Sequence, residues 1–231
     1  MLTTEQKHEA LLQLAMRRQI DRLPPHNCLA DFHHAYYECD HVSPWSISAC
    51  NIDAELMLIG QDWASSHILE QEPDEGRRRM GQDWSSPTNT NLRRLLEHMG
   101  HRFSDTYATN VFPFIKKGSK SAPIPFRDLV RCARTYALPQ IKIVCPRMAI
   151  CLGKRTFDAI RRAAGLGRLE WSEARSPKLA HTRFGSVEIY GLPHPSPLGM
   201  TNAGGMDSVT CSWKLLADHL ENVHRQGNRR S

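Results

Sequence analysis

The chain has 231 residues, 40% hydrophobic and 23% charged, near the globular average, which excludes collagen-like, coiled-coil and disordered classes. Thirty Lys and Arg against 24 Asp and Glu give a net charge of +6, and twelve His can add to it on a polyanion; this suits a nucleic-acid partner without demanding one. Apolar runs such as ELMLIG and RMAICLG fall short of the ~18 residues that span a bilayer. The opening MLTTEQKHEALLQL lacks the basic-then-apolar layout of a signal peptide, so a cytoplasmic protein with no membrane partner is expected. At roughly 100–200 residues per domain this is one generous domain, large enough to bury about 70% of its unfolded surface without a disulfide or metal. The seven Cys contain no CxxC spacing and are expected as reduced thiols. Cys145 and Cys151 read as small core residues.

Residues 4–22 form the first expected helix: Thr3 with Gln6 offers a capping box, and Pro24-Pro25 stops it. Residues 25–53 are rich in His, Tyr, Cys and Pro without a period, an irregular segment expected to wrap the core. Short apolar runs follow at 55–60, 105–110, 147–153 and 186–192, of the length and continuity of strands buried on both faces of a parallel sheet. Helical patterns at 88–99, 126–142, 154–164 and 208–225 alternate with them, and Pro139 predicts a kink or early end in the second. The alternation gives an α/β fold, a three-layer α/β/α sandwich around a central four-stranded parallel sheet. The expected organisation is a helix and covering segment over 1–53, the α/β part over 54–225 and a basic tail over 226–231.

In open α/β sheets ligands bind at the carboxyl ends of the strands. Three of those ends carry polar groups: Gln61-Asp62-Trp63 after the first strand, Asn110 at the second, and His194-Pro195-Ser196-Pro197-Leu198 after the fourth. An acid, a carboxamide and an imidazole at one sheet edge suit a hydrolytic site, but their spacing names no substrate.

The motifs add more. GQDW ending the first strand, Asn110 ending the second and HPSPL after the last resemble the uracil-DNA glycosylase superfamily, whose best-known members carry GQDPYH and HPSPLS there. ICLGKRTFDAI resembles the third-strand segment of the iron–sulfur branch. The resemblance runs from about residue 54 to 222 and implies the strand order 2-1-3-4. It implies a monofunctional DNA glycosylase, acting as a monomer on uracil-containing or otherwise damaged DNA, with no cofactor. Asp62 matches the acid that positions water and stabilises the sugar cation. His194 matches the imidazole that steadies the departing base. Asn110, with Gln61 nearby, matches the group that reads the base edge. Leu198 occupies the wedge position that fills the gap left by an extruded nucleotide, unless it packs under Trp213. Trp84 is the first candidate for the stacking ring and Trp63 its rival; Ser65, Ser85 and Ser196 are short donors suited to phosphates.

The sequence departs from the family pattern at Trp63, where Pro is usual, and at Ala64, where a Tyr usually excludes the thymine methyl group. A wider base range follows if that filter is missing. GQDW recurs at 81–84, but Asp83 precedes a helix start and reads as structural. Cys132 falls where one cluster ligand of the iron–sulfur branch lies, yet the other ligands have no counterpart, so no cluster is expected. His26, Cys28, His33, His34, Cys39 and His41 match no zinc spacing, so no metal is assigned. Two other readings share these residues: a nucleic-acid binder without catalysis, and a hydrolase of nucleosides or RNA. Lys116, Lys117 and Lys120 read as a solvated, polyanion-facing run.

Overall fold

The computed structural model describes residues 2–167, 169 and 181–227. In chain order the elements are α1 (Thr4–Ile20), β1 (Leu56–Asp62), α2 (Ser66–Leu69), α3 (Glu75–Met80), α4 (Pro87–Glu97), β2 (Tyr107–Phe112), α5 (Phe126–Cys132), α6 (Leu138–Val144), β3 (Met148–Leu152), α7 (Lys154–Ala163), β4 (His181–Phe184), β5 (Val187–Leu192), α8 (Pro197–Asn202) and α9 (Met206–Gly227). The sheet has five strands in the order β2-β1-β3-β5-β4. Its four parallel strands keep the expected order. The correction is a fifth strand, β4, which pairs antiparallel with β5 through Thr182 and Ile189. HTRF is short and polar on one face, so it carries no buried-strand signal.

β1 is apolar on both faces because both are covered. Met57 and Ile59 pack with Leu129, Tyr136, Ile141 and Ile160 of the α5–α7 layer, whereas Leu56 and Leu58 pack with Leu92, Leu96 and Trp213 of the α4–α9 layer. That alternation follows from the two-residue period of a strand. The expected helix over 126–142 is interrupted by a π turn at Ala133–Ala137, and Pro139 falls in the first turn of α6. An N–H is not needed there, and the wider turn relieves the ring's clash with the preceding turn.

Thr3 closes its capping box with Gln6 at the start of α1, and the backbone turns extended at Asp21. The segment after α1 covers the outer edge of β2. Asn27 and Ile115 exchange backbone hydrogen bonds of 2.9 and 2.8 Å, and Ala108 N–H donates to Ala49 at 2.9 Å. These bonds occupy backbone groups that an open edge strand would expose. Arg18, fully buried, donates to the carbonyls of Cys39 and His41 at 2.7 Å each and pairs with Glu38, tying α1 to the same segment. Cys151 is buried as expected, but Cys145 is exposed, in a left-handed C-cap after α6. α9 runs through Gly227, so the tail expected from 226 begins inside a helix and its residues 228–231 lie outside the described residues.

Candidate active site

β1 continues beyond residue 60 and carries Gln61 and Asp62 as strand residues, with Asp62 opposite Phe112 of β2. Both Asp62 oxygens are engaged. Gln61 Nε2 donates to Oδ1 at 2.9 Å, and Lys116 Nζ lies 2.9 Å from Oδ2 in an ion pair whose side chains are only 6% and 13% exposed. Lys116 Nζ also donates to the Lys120 carbonyl at 2.6 Å. The carboxylate is therefore fixed in rotation, and Gln61 acts on the acid.

His194 follows β5. Its Nδ1 accepts from the Ser196 N–H at 3.1 Å, which leaves Nε2 as the nitrogen that carries the proton in the neutral ring. Burial holds its pKa below the usual value of 6.5; the charges of Lys120 and Lys116 push the same way, while Asp62 opposes them. The acid and the imidazole thus sit close enough to sense each other's charge. Ser196 caps α8, accepting from Gly199 N–H at 3.2 Å, and Asn91 of α4 donates to the Pro195 carbonyl at 2.9 Å. Position 199 tolerates only glycine, since a Cβ there would lie 2.2 Å from the His194 carbonyl oxygen.

Asn110 lies inside β2, two residues before its end, paired with Gly60. The amide is buried, and its Oδ1 accepts from the Ser43 hydroxyl at 2.6 Å. Ser43 Oγ in turn accepts from Trp45 N–H at 3.2 Å, so its single proton is directed to the Asn110 carbonyl. A Cβ at position 60 would lie 2.5 Å from Asn110 Nδ2 and 3.2 Å from Trp45 Cζ3. Gly60, Asn110, Ser43 and Trp45 form one corner. Ser43 and Trp45 were missed in the sequence because they lie in an aperiodic segment; an N-capping Ser-Pro before a Trp was the only local signal.

The remaining candidates divide. Leu198 is 71% exposed whereas Trp213 is fully buried, so Leu198 does not pack beneath it. Trp84 is exposed, with the Arg93 guanidinium 4.3 Å from its ring centroid. Trp63 is a packing residue: its Nε1 donates to the Gly81 carbonyl at 2.7 Å and its ring meets Tyr37 edge-on at 5.6 Å. Asp83 accepts from the Ser85 N–H and hydroxyl at 3.1 and 2.7 Å, a local turn ahead of α4 that also occupies Ser85. Ser65 corrects the expectation of a phosphate donor. It is fully buried at the Lys116 bridge, and its hydroxyl meets no hydrogen-bond partner among the described residues.

The His- and Cys-rich stretch is spent on other contacts: His26 meets Asp128 at 3.4 Å and His33 meets the Leu69 carbonyl at 2.6 Å. Among the described residues, no three His, Cys, Asp or Glu side chains gather to hold a metal, and no helix is long and apolar enough to cross a membrane. Cys132 is buried in the core, its thiol pushed up to about 12 by burial.

No curated protein matches the chain. A family model, the Uracil DNA glycosylase superfamily, matches residues 47–218. That span takes in Asp62, Asn110, His194 and the whole sheet that carries them, and the chain belongs to the uracil-DNA glycosylase superfamily.

Proposed function

We propose that the protein is a DNA glycosylase that hydrolyses the N-glycosidic bond of uracil or a related damaged base, acting on an extruded nucleotide. The observation that carries this reading is the convergence of three fixed polar groups at one sheet edge: the doubly held Asp62 carboxylate, the neutral His194 ring and the oriented Asn110 amide. Family membership supports a glycosylase-type reaction and DNA as the partner.

Each group has a physical task. As the C1′–N bond breaks, positive charge builds on the sugar and negative charge on the base. Asp62 lowers the energy of the first and positions the water whose oxygen bonds to C1′. The His194 Nε2–H donates to the departing base as it takes the bonding pair, and one such donor is worth roughly 10²–10³ in rate. A carbonyl oxygen has two lone pairs, so Asn110 Oδ1 accepts from Ser43 and still takes the uracil N3–H, while Nδ2 donates to O4. Cytosine presents the reverse pattern and leaves both unpaired. Trp45 supplies a ring beside that corner, and Leu198 is free to enter the stack. Ala64, where a bulkier methyl filter is usual, widens the accepted bases.

The test is cleavage of oligonucleotides carrying one uracil, single-stranded or paired with A or G, with Asp62→Asn and Asp83→Asn beside the parent. Release abolished by Asp62→Asn alone supports the reading. Salt-sensitive DNA binding without release from any uracil substrate would sink the uracil assignment, and another lesion or a non-catalytic binder would take its place.

A further inference from the structure

A groove of about 410 Å³ lies on the exposed side of the α5–α7 layer, and none of the groups of the candidate site lines it. Arg127, Arg131 and Arg134 follow one another along α5 and the π turn, about one helical turn apart. Arg162 reaches the same groove from α7, and Phe126 and Val130 also line it. Arg127 is paired with Asp128 at 3.7 Å. Arg131, Arg134 and Arg162 are exposed, and among the described residues none of them meets a carboxylate. Like charges a helical turn apart repel one another, so an anion seated among these three would relieve the fold of a cost.

The groove is continuous with the site. β2 ends at the sheet edge that holds Asp62, and the loop from it to α5 carries Lys116 against that acid and the exposed Lys117 and Lys120. α5 and α7 both start at this edge, where Arg155 donates to the Ile124 carbonyl. Phe126, 43% exposed, therefore marks the near end of the groove, and Arg162, close to the end of α7, the far end. We infer that the groove holds single-stranded DNA flanking the target nucleotide, with phosphates on Arg131, Arg134 and Arg162 and a base against the Phe126 ring. The inference rests on the glycosylase reading for the strand that arrives there. A guanidinium fork matches a phosphate with two parallel N–H donors, and cations interleaved with an exposed aromatic ring form a platform for a single strand. A hollow of this volume takes one strand and not a duplex. An acidic peptide would also pair with the arginines, but the continuity with the site favours the nucleic acid.

The test is fluorescence anisotropy with a labelled thymidine 20-mer, single-stranded or paired with its complement, across a salt series. The probe holds no uracil, so binding is read whether or not a base is released. Replacing Arg131, Arg134 and Arg162 together by Ala should weaken single-strand binding about 10–100-fold at 0.1 M salt and lower the slope of log K against log salt by about 2, since each phosphate contact on a single strand contributes roughly 0.7. The same three changed to Lys should keep most of the slope. A charge-matched variant with the exposed Arg17, Arg102 and Arg183 changed to Ala should bind like the parent, and melting temperatures check that every variant is folded. Equal weakening in the charge-matched variant, no weakening in the groove variant, or a loss on the duplex as large as on the single strand overturns the inference. So does a glutamate polymer that binds through the groove when the oligonucleotide does not. Uracil release at saturating enzyme is scored separately and should stay within about twofold in the groove variant. Release without groove-dependent binding sinks this inference alone, while groove-dependent binding without release by the parent supports it and sinks the uracil assignment.

Discussion

Gly60→Ala tests whether Asn110 reads the base, because it disturbs that side chain while adding no atom near Asp62 or His194. The new Cβ would lie 2.5 Å from Asn110 Nδ2, against the ~3.5 Å of a comfortable heavy-atom contact, so the amide must move by about 1 Å. It cannot move freely, since Trp45 Cζ3 is 3.2 Å from the same Cβ and Ser43 holds Oδ1 at 2.6 Å. Overpacking of this kind costs roughly 1–3 kcal/mol, and losing the buried Ser43 bond adds about 1–2 kcal/mol. For a chain of this size each kcal/mol shifts the melting temperature by about 2–4 °C, so a drop of roughly 5–15 °C is expected. A displaced amide also loses its pairing with the base, worth about 2–3 kcal/mol, or roughly 30–150-fold in kcat/KM. The assay is single-uracil oligonucleotide cleavage alongside thermal melting, with a cytosine substrate to follow discrimination. A variant that keeps kcat/KM within about twofold and the parent's melting temperature would refute both the packing and the role of Asn110.

His194→Ala should lower single-turnover release by roughly 10²–10³ while DNA binding persists in a mobility assay. Because burial lowers the His194 pKa from 6.5, the ring stays neutral as pH falls towards 6.5, and the parent's rate should show no His194-linked loss until the pH is lower still. The same shift means that the unfolded chain takes up this proton first. His194 therefore contributes stability above the unfolded-state pKa that is lost as pH falls below it, and the parent-minus-His194→Gln difference in unfolding free energy should shrink on acidification; a growing difference would reverse the sign. Gly199→Ala sets a Cβ 2.2 Å from a backbone oxygen, which cannot yield as a side chain can. It should cost about 3 kcal/mol or more and abolish release, seen as a lowered denaturant midpoint. Leu198→Ala, at a residue 71% exposed, should leave stability within about 0.5 kcal/mol yet slow release from duplex more than from single strands. Equal slowing on both would remove the wedge role.

The parallel centre of the sheet was legible because β1 and β3 open as unbroken buried apolar runs and β5 is interrupted only by Glu188. β2 was read two residues early, since the polar Thr109 and Asn110 hid its true extent to Phe112. The short helices α2, α3 and α8 hold too few turns for a helical period to show. Asp62 and His194 were legible through their motifs, each of which ends a strand or caps a helix locally. Ser43 was not, because its partner Asn110 is sixty-seven residues away and the contact exists only once the covering segment has crossed the edge of β2. Lys116 was hidden for a different reason. Neighbouring lysines look alike in a sequence, and only the β-bridge to Ser65 turns one of them inward.

Ser43 and Trp45 lie upstream of residue 47, where the match to the superfamily begins. Family membership therefore rests on the part of the chain that carries Asp62, Asn110 and His194, while the Ser43 hydroxyl that holds the Asn110 amide comes from the covering segment just before it. Substitutions at Ser43 or Trp45 would act on the Asn110 amide while leaving the Gln61 and Lys116 contacts of Asp62 and the Ser196 contact of His194 in place. The covering segment is thus a place from which the Asn110 corner can be altered without touching the strand ends that hold the acid and the imidazole.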